Sequence, residues 1–193
     1  NLAAGSYTNT ACVLEQTDGT GPQCDSDSVN VTEPGGPGDP PVPEPDGDGH
    51  ETAFMFGDVC FLEITEDDGG NPISFNRWGW THEFDGDVIL SIYAGAGRCD
   101  MSKGELVGEV TITGATGTFD INMFSGYHLD EIQIEYDVIG MVAENGIGDW
   151  TVGPGQYDHV DDSPDGATSY SFTTGSPIAN GTWLIVHLVV GDF

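Results

Sequence analysis

The segment from Glu33 to Glu51, EPGGPGDPPVPEPDGDGHE, divides the chain in two. Eleven of its nineteen residues are Gly or Pro, six are acidic, and Val42 is its one aliphatic side chain. Glycine raises the entropic cost of order, proline removes backbone donors, and like charges repel. Such a stretch cannot bury enough apolar surface to fold, so an extended, self-repelling spacer is expected over 33–51. Residues 1–32 are too few for a core of their own. One strand is expected there, around Ser6 to Glu15, and it needs a sheet supplied from elsewhere.

Residues 52–193 read as one domain with the period of β-strands. Phe119, Ile121 and Met123 alternate with Asp120 and Asn122. Ile132, Ile134 and Tyr136 alternate with Glu131, Gln133 and Glu135. Leu106, Val110 and Ile112 alternate with Val107, Glu109 and Thr111, with Gly108 on the apolar side. Three more continuous apolar runs, Val59–Ile64, Val88–Ala94 and Trp183–Val190, read as central strands. Turns are expected at Asp67–Gly70, Asp85-Gly86, Gly114–Gly117 and Asn180-Gly181, and a long loop over Ala143–Thr168. Gly is 29 of 193 residues and no helical apolar stripe is found. The expected fold is all-β: a two-sheet antiparallel sandwich, jelly-roll-like, preceded by an extended N-terminal strand segment.

The chain carries 33 acids against 3 bases, a formal net charge of −30. That field repels nucleic acid phosphates and anionic lipid, so neither is an expected partner. It suits a saline setting, where salt screens self-repulsion, or carboxylates held by divalent cations. No apolar run reaches the roughly 18 to 20 residues needed to span a bilayer. A first residue of Asn rather than Met implies a removed leader, and hence export. Cys12, Cys24, Cys60 and Cys99 lack the spacing of a metal site. Each of the pairs Cys12–Cys24 and Cys60–Cys99 falls within its own segment, so two disulfides are expected, with buried thiols as the alternative. Each loop would add on the order of 3 kcal/mol.

Several segments together carry a resemblance: Cys60-Phe61, Phe75-Asn76-Arg77-Trp78-Gly79-Trp80-Thr81, and Tyr93-Ala94-Gly95-Ala96-Gly97-Arg98-Cys99-Asp100 with Ser102-Lys103-Gly104. Gly126-Tyr127, Leu129-Asp130-Glu131, Pro154-Gly155-Gln156-Tyr157 and Ile185-Val186-His187 continue it. Over residues 52–190 the chain resembles a poorly characterised family of secreted, β-rich domains from surface and extracellular proteins of marine microbes. The resemblance implies a β-rich fold and an extracellular location, and brings no catalytic residues. Arg77, Arg98 and Lys103, the chain's three bases, all fall inside these motifs. Each is expected to be paired, with Arg77 stacking on an indole or offering a ligand surface.

Enzyme signatures are missing: GxSxG, HExxH and the phosphate-binding loop do not occur. Among 33 acids a pair at glycosidase spacing arises by chance, so no enzyme is expected. His187, set in an apolar run, reads as a packed histidine. His159, among Asp158, Asp161 and Asp162, reads as a solvated acidic loop or a metal ligand. Calcium is the metal best suited to Asp-Gly turns. Its candidates are Glu83, Asp85 and Asp87; Asp158, Asp161, Asp162 and Asp165; Glu66, Asp67 and Asp68; and Asp46, Asp48 and Glu51, against solvated turns as the alternative. Asn30-Val31-Thr32 and Asn180-Gly181-Thr182 match the glycosylation triplet.

Two functions are weighed. In the first, the chain is an exported structural subunit. Its N-terminal strand enters the sheet of another copy and so builds a homopolymer, a filament or surface layer. In the second, it is an extracellular carbohydrate-binding module that stacks sugars on Trp78, Trp80, Trp150 and Tyr157. Trp78 and Trp80 are expected on opposite faces, which would leave at most one exposed.

Overall fold

The computed structural model describes residues 5–13, 23–31, 49–67, 69–138, 142–144 and 150–192. It is all-β and antiparallel. Two compact units divide it, Asn1–Pro43 and Glu44–Phe193. In the first, β1 (Gly5–Val13) pairs with β2 (Gln23–Val31) as a two-stranded sheet, with Cys12 opposite Cys24 and Tyr7 opposite Val29. This corrects the expectation of one strand without a partner in its own segment. The second strand, QCDSDSVNV, was hidden because its Ser, Asp and Asn content reads as loop.

The second unit contains β3 (His50–Met55), β4 (Val59–Cys60), β5 (Trp80–Glu83), β6 (Val88–Ala94), β7 (Glu105–Thr113), β8 (Thr118–Met123) and β9 (Tyr127–Val138). After these come β10 (Ala143–Glu144), β11 (Trp150–Thr151), β12 (His159–Asp161), β13 (Ser169–Thr173) and β14 (Trp183–Asp192). His50 and Glu51, read as spacer, therefore belong to a strand. The ladder runs β12-β9-β14-β3-β6-β7-β8-β13, with β5 also pairing β14 and β4 pairing β5. Inward residues from both halves of this path meet in one core. Ala53, Met55 and Ile92 join Val110, Ile112, Phe119 and Ile121, facing Ile132, Ile134, Leu184, Val186 and Leu188. The sandwich is thus one continuous sheet folded over on itself, rather than two separate sheets.

The ends of the path meet side by side. The His159 ring stacks on Phe172 at 3.9 Å, and its Nε2 lies 2.8 Å from the Tyr170 hydroxyl. That hydroxyl donates to Asp161 Oδ2 at 2.8 Å, so the histidine is the donor toward it. Burial first, then Asp161, pushes the Tyr170 phenol up to about 12. His159 is therefore part of a seam between β12 and β13, a structural task not read from its acidic neighbours.

β14 is buried on both faces, which explains its unbroken apolar run. Leu184, Val186 and Leu188 enter the main core, while Ile185 joins a second core on the other side of the sheet. β9 does the same with polar residues: Gln133 and Glu135 are buried, although their alternation reads as a wet face. The run Val59–Ile64 is not a central strand. Only Val59–Cys60 pairs, and Phe61–Glu63 forms a 3-10 turn that sends Phe61 into the second core. In β7 the register slips between Ile92↔Gly108 and Tyr93↔Leu106, leaving Val107 as an extra residue. That bulge buries Val107 and turns Leu106 outward, 42% exposed, reversing the expected faces. The four turns fall as expected between or before strands. The stretch Ala143–Thr168 is not wholly loop, since it holds β10, β11 and β12.

Candidate functional site

Tyr127 and Leu129 pack in the main core, while segments 60–61, 75–80, 93–99 and 154–157 and Ile185 meet in the second core, on the outer side of β3 and β14. Phe54 of β3 is its hub. Phe61 stands edge-on to it at 5.7 Å, Trp78 at 5.2 Å and His187 at 4.7 Å. The chain reaches this hub from 61 and from 78–80, and the Cys60–Cys99 disulfide ties β4 to the turn after β6. Cys12 and Cys24 are opposite in the hairpin ladder, the register that the other expected bridge requires.

The four aromatics expected to stack sugar all lie in this cluster. Trp80 and Tyr157 are buried, at 3% and 5% exposure, and Trp78 and Trp150 are half-buried. Trp78 and Trp80 are not on opposite faces. Their rings meet edge-on at 5.7 Å, as residues two apart in an extended chain share a side. The rings serve packing first.

A buried polar row lies beneath them. His187 stands opposite Gln133 in the ladder and Ile185 opposite Glu135. His187 Nδ1 pairs with Gln133 Oε1, an amide oxygen that only accepts, so the ring proton sits on Nδ1. The Asp158 N–H donates to Glu135 Oε2 at 3.3 Å, and the Tyr157 hydroxyl donates to the Val152 carbonyl at 3.3 Å. Burial pushes the Tyr157 phenol up, Glu135 adds to this, and Arg77 opposes it. Burial, then the Arg77 charge, pushes His187 down from 6.5 to about 4. Its folded value is the lower one, so the unfolded chain takes the proton first. The His187 contribution is complete above pH 6.5 and is lost as pH falls toward 4, about 3 kcal/mol in all. In urea titrations the His187→Gln variant is therefore expected to lose less stability than wild type between pH 6.5 and 4. Equal losses would contradict a neutral buried His187.

Of the three bases, Lys103 lies 3.5 Å from Asp100 in an exposed pair. Among the described residues Arg77 and Arg98 have no ion pair within 4.0 Å, and both are exposed. Arg77 nevertheless projects its charge onto Tyr157 and His187.

The acids expected to hold calcium have other tasks where partners are visible. Asp87 Oδ1 accepts the Gly114 N–H at 2.8 Å. Asp161 accepts from the Ser163 hydroxyl, the Tyr170 hydroxyl and the Ser163 N–H, bonds that hold its carboxyl below the usual carboxylate range. Asp67 caps its own turn through Gly69 and Asn71. The Glu83 N–H donates to Asp58, Asp85 sits in the turn before β6, and Asp158 precedes β12. Asp162 and Asp165 follow β12, and Glu66 bridges to Pro72. Glu51 lies in β3, while Asp46, Asp48 and Asp68 fall outside the described residues. Among the described residues no three His, Cys, Asp or Glu side chains are placed to hold a metal ion.

One cluster was invisible in the sequence. Gly191 of β14 stands in register with His50 of β3 and His128 of β9. Both rings reach Asp130 Oδ2, His50 Nδ1 at 2.9 Å and His128 Nε2 at 3.5 Å. These residues are up to 141 positions apart in the chain, and only strand order brings them together. Elsewhere a shallow groove of about 510 Å³ lies over β7, β8 and β13, lined by Thr111, Asp120, Asn122, Ser169 and Ser171 among others.

What the fold and these surfaces define is an antiparallel β-sandwich protein with a separate N-terminal β-hairpin. No family model, no curated protein and no solved structure matches the chain. No helix among the described residues is long and apolar enough to cross a membrane.

Proposed function

We propose that the chain is an exported structural subunit that assembles into an extracellular filament or surface layer through its N-terminal β-element. The observation that carries this reading is the β1–β2 ladder, a two-stranded sheet in a compact unit of its own. Two strands alone are marginal in water, and more strands or a packing surface are needed for stability. Each strand of a hairpin also leaves one edge to be completed. Addition to the next copy is head-to-tail and therefore propagates. The disulfide supports an oxidising, extracellular setting. Negative-stain imaging and size-exclusion of the full chain should show large assemblies that vanish when residues 1–32 are deleted. A strictly monomeric full chain would overturn the proposal.

A second reading, an extracellular carbohydrate-binding module, is favoured by the groove over β7, β8 and β13 rather than by the buried aromatics. Its hydroxyls, amide and carboxylate offer both donors and acceptors, and Ser171 already donates to Asp120 at 2.7 Å. A glycan array on wild type and Asn122→Ala tests it. Binding weakened by the substitution supports it, and no binding by wild type removes it.

A further inference from the structure

We propose that the sandwich surface accepting the hairpin of another copy is the exposed apolar strip around Leu106, at the β6–β7 connection. This rests on the assembly reading above and names the acceptor that it requires.

The strip is continuous across the sheet. Phe56, just after β3, lies 6.2 Å from Tyr93 of β6. Tyr93 stands opposite Leu106 of β7, and the N–H of Phe124, just after β8, donates to the Val107 carbonyl at 2.8 Å. Phe56, Leu106 and Phe124 are 36%, 42% and 39% exposed, and Met101 in the adjoining turn is 43% exposed. The bulge at Val107 creates this surface, because without it Leu106 would point inward. Large apolar side chains gathered on one face mark an interaction site more often than scattered ones do.

Charge selects the occupant. The hairpin unit carries Glu15, Asp18, Asp25, Asp27, Glu33 and Asp39 and no base. A chain of net charge −30 repels that unit over most of its surface. Two of the chain's three bases, Arg98 and Lys103, flank Met101 beside the strip, and both are exposed. A β-carbon on Gly104 would lie 2.6 Å from the Ala96 β-carbon, so the Lys103 turn is folded directly onto the Arg98 turn. Asp100, Glu105 and, beside Gly95, Glu51 lie close by, so the two bases offset most of the local acid on an otherwise acidic molecule. An acidic segment with an apolar end, Tyr7 opposite Val29 and Gly5 opposite Val31, meets less repulsion there than on a wholly acidic face.

The test mixes two full-length chains. Leu106→Asp retains the hairpin and loses the acceptor. Tyr7→Pro with Val29→Pro breaks the hairpin ladder and keeps the acceptor. Each alone is expected to be monomeric by light scattering, with wild-type circular dichroism for Leu106→Asp and loss of only the hairpin's strand signal for the proline pair. Mixed, they should form a 1:1 complex that grows no further. Phe124→Asp replaces Leu106→Asp if the latter fails to fold. A Leu106→Asp chain that still polymerises would overturn this acceptor and leave the assembly reading intact. A mixture that stays monomeric would also overturn it. A monomeric wild type would remove both.

Discussion

Replacing Gly79 with alanine is expected to cost the sandwich roughly 2 to 6 kcal/mol, the sum of overpacking and a strained backbone at about 1 to 3 each. Gly79 has φ +148, a region that side-chain-bearing residues rarely adopt. A β-carbon there would sit 2.4 Å from Phe61 Cε2 and 2.8 Å from Phe54 Cε1. Neither ring can withdraw. Phe61 is fully buried, Phe54 is 3% exposed, and the two hold each other edge-on. The Gly79 carbonyl also accepts the Phe61 N–H at 3.0 Å, so moving the glycine would break the turn that delivers Phe61. Gly155→Ala is the control, since a β-carbon there meets nothing within 4 Å. Guanidinium midpoints at matched salt would decide. A Gly79→Ala midpoint equal to that of the control would mean that the second core is loosely packed.

Removing the Cys60–Cys99 bridge is the other large expected effect. The bridge closes a loop with a sequence separation of 39, and chain entropy assigns such a loop about 4 kcal/mol. For a chain of this size that is on the order of 10 °C in melting temperature. The loop contains the part of the second core's cover that runs from Phe61 to Trp80, while Val142, Val152 and Tyr157 join that core from outside the loop. At its far end Arg98 and Cys99 both hold positive φ, at 64° and 58°. Two successive left-handed residues cost free energy, and they persist because the bridge and the neighbouring core hold them. Cys60→Ala with Cys99→Ala should therefore loosen residues 61–80 and 95–104 before the main core. Differential scanning calorimetry is expected to show the drop, and thermolysin to cut first in those two segments. An unchanged melting temperature would show that packing alone holds this cover.

Alternation was legible where one face of a strand is wet, and β14, buried on both faces, was legible instead as an unbroken apolar run. β8 alternates cleanly because its outward residues, Asp120 and Asn122, line the open groove, whereas β13 on the other side of that groove was not read as a strand. The turns were legible because Asp-Gly and Asn-Gly pairs carry their own backbone preference. The burial of polar residues was not legible where a second layer covers the sheet. Glu135 at 4% exposure and Gln133 at 5% cannot be told from surface residues by pattern, since pattern records polarity and not what lies above it. A single extra residue at Val107 reversed two side chains, and no propensity marks a bulge in advance. The contact of His50, His128 and Asp130 depends on β9, β14 and β3 being neighbours in that order, which strand patterns do not specify. For the candidate site, the packing of the expected ring and acid residues was not legible, because it depends on which strands become neighbours. The tryptophans pack a core, and the visible acids satisfy turns.

The most direct measurement is amide hydrogen exchange on the full chain, at high concentration and after dilution. If another copy completes the hairpin, amides of Gly5–Val13 and Gln23–Val31 should exchange at least about tenfold faster on dilution, while those of Trp183–Asp192 stay unchanged. Equal exchange of the hairpin amides at both concentrations would contradict assembly through it.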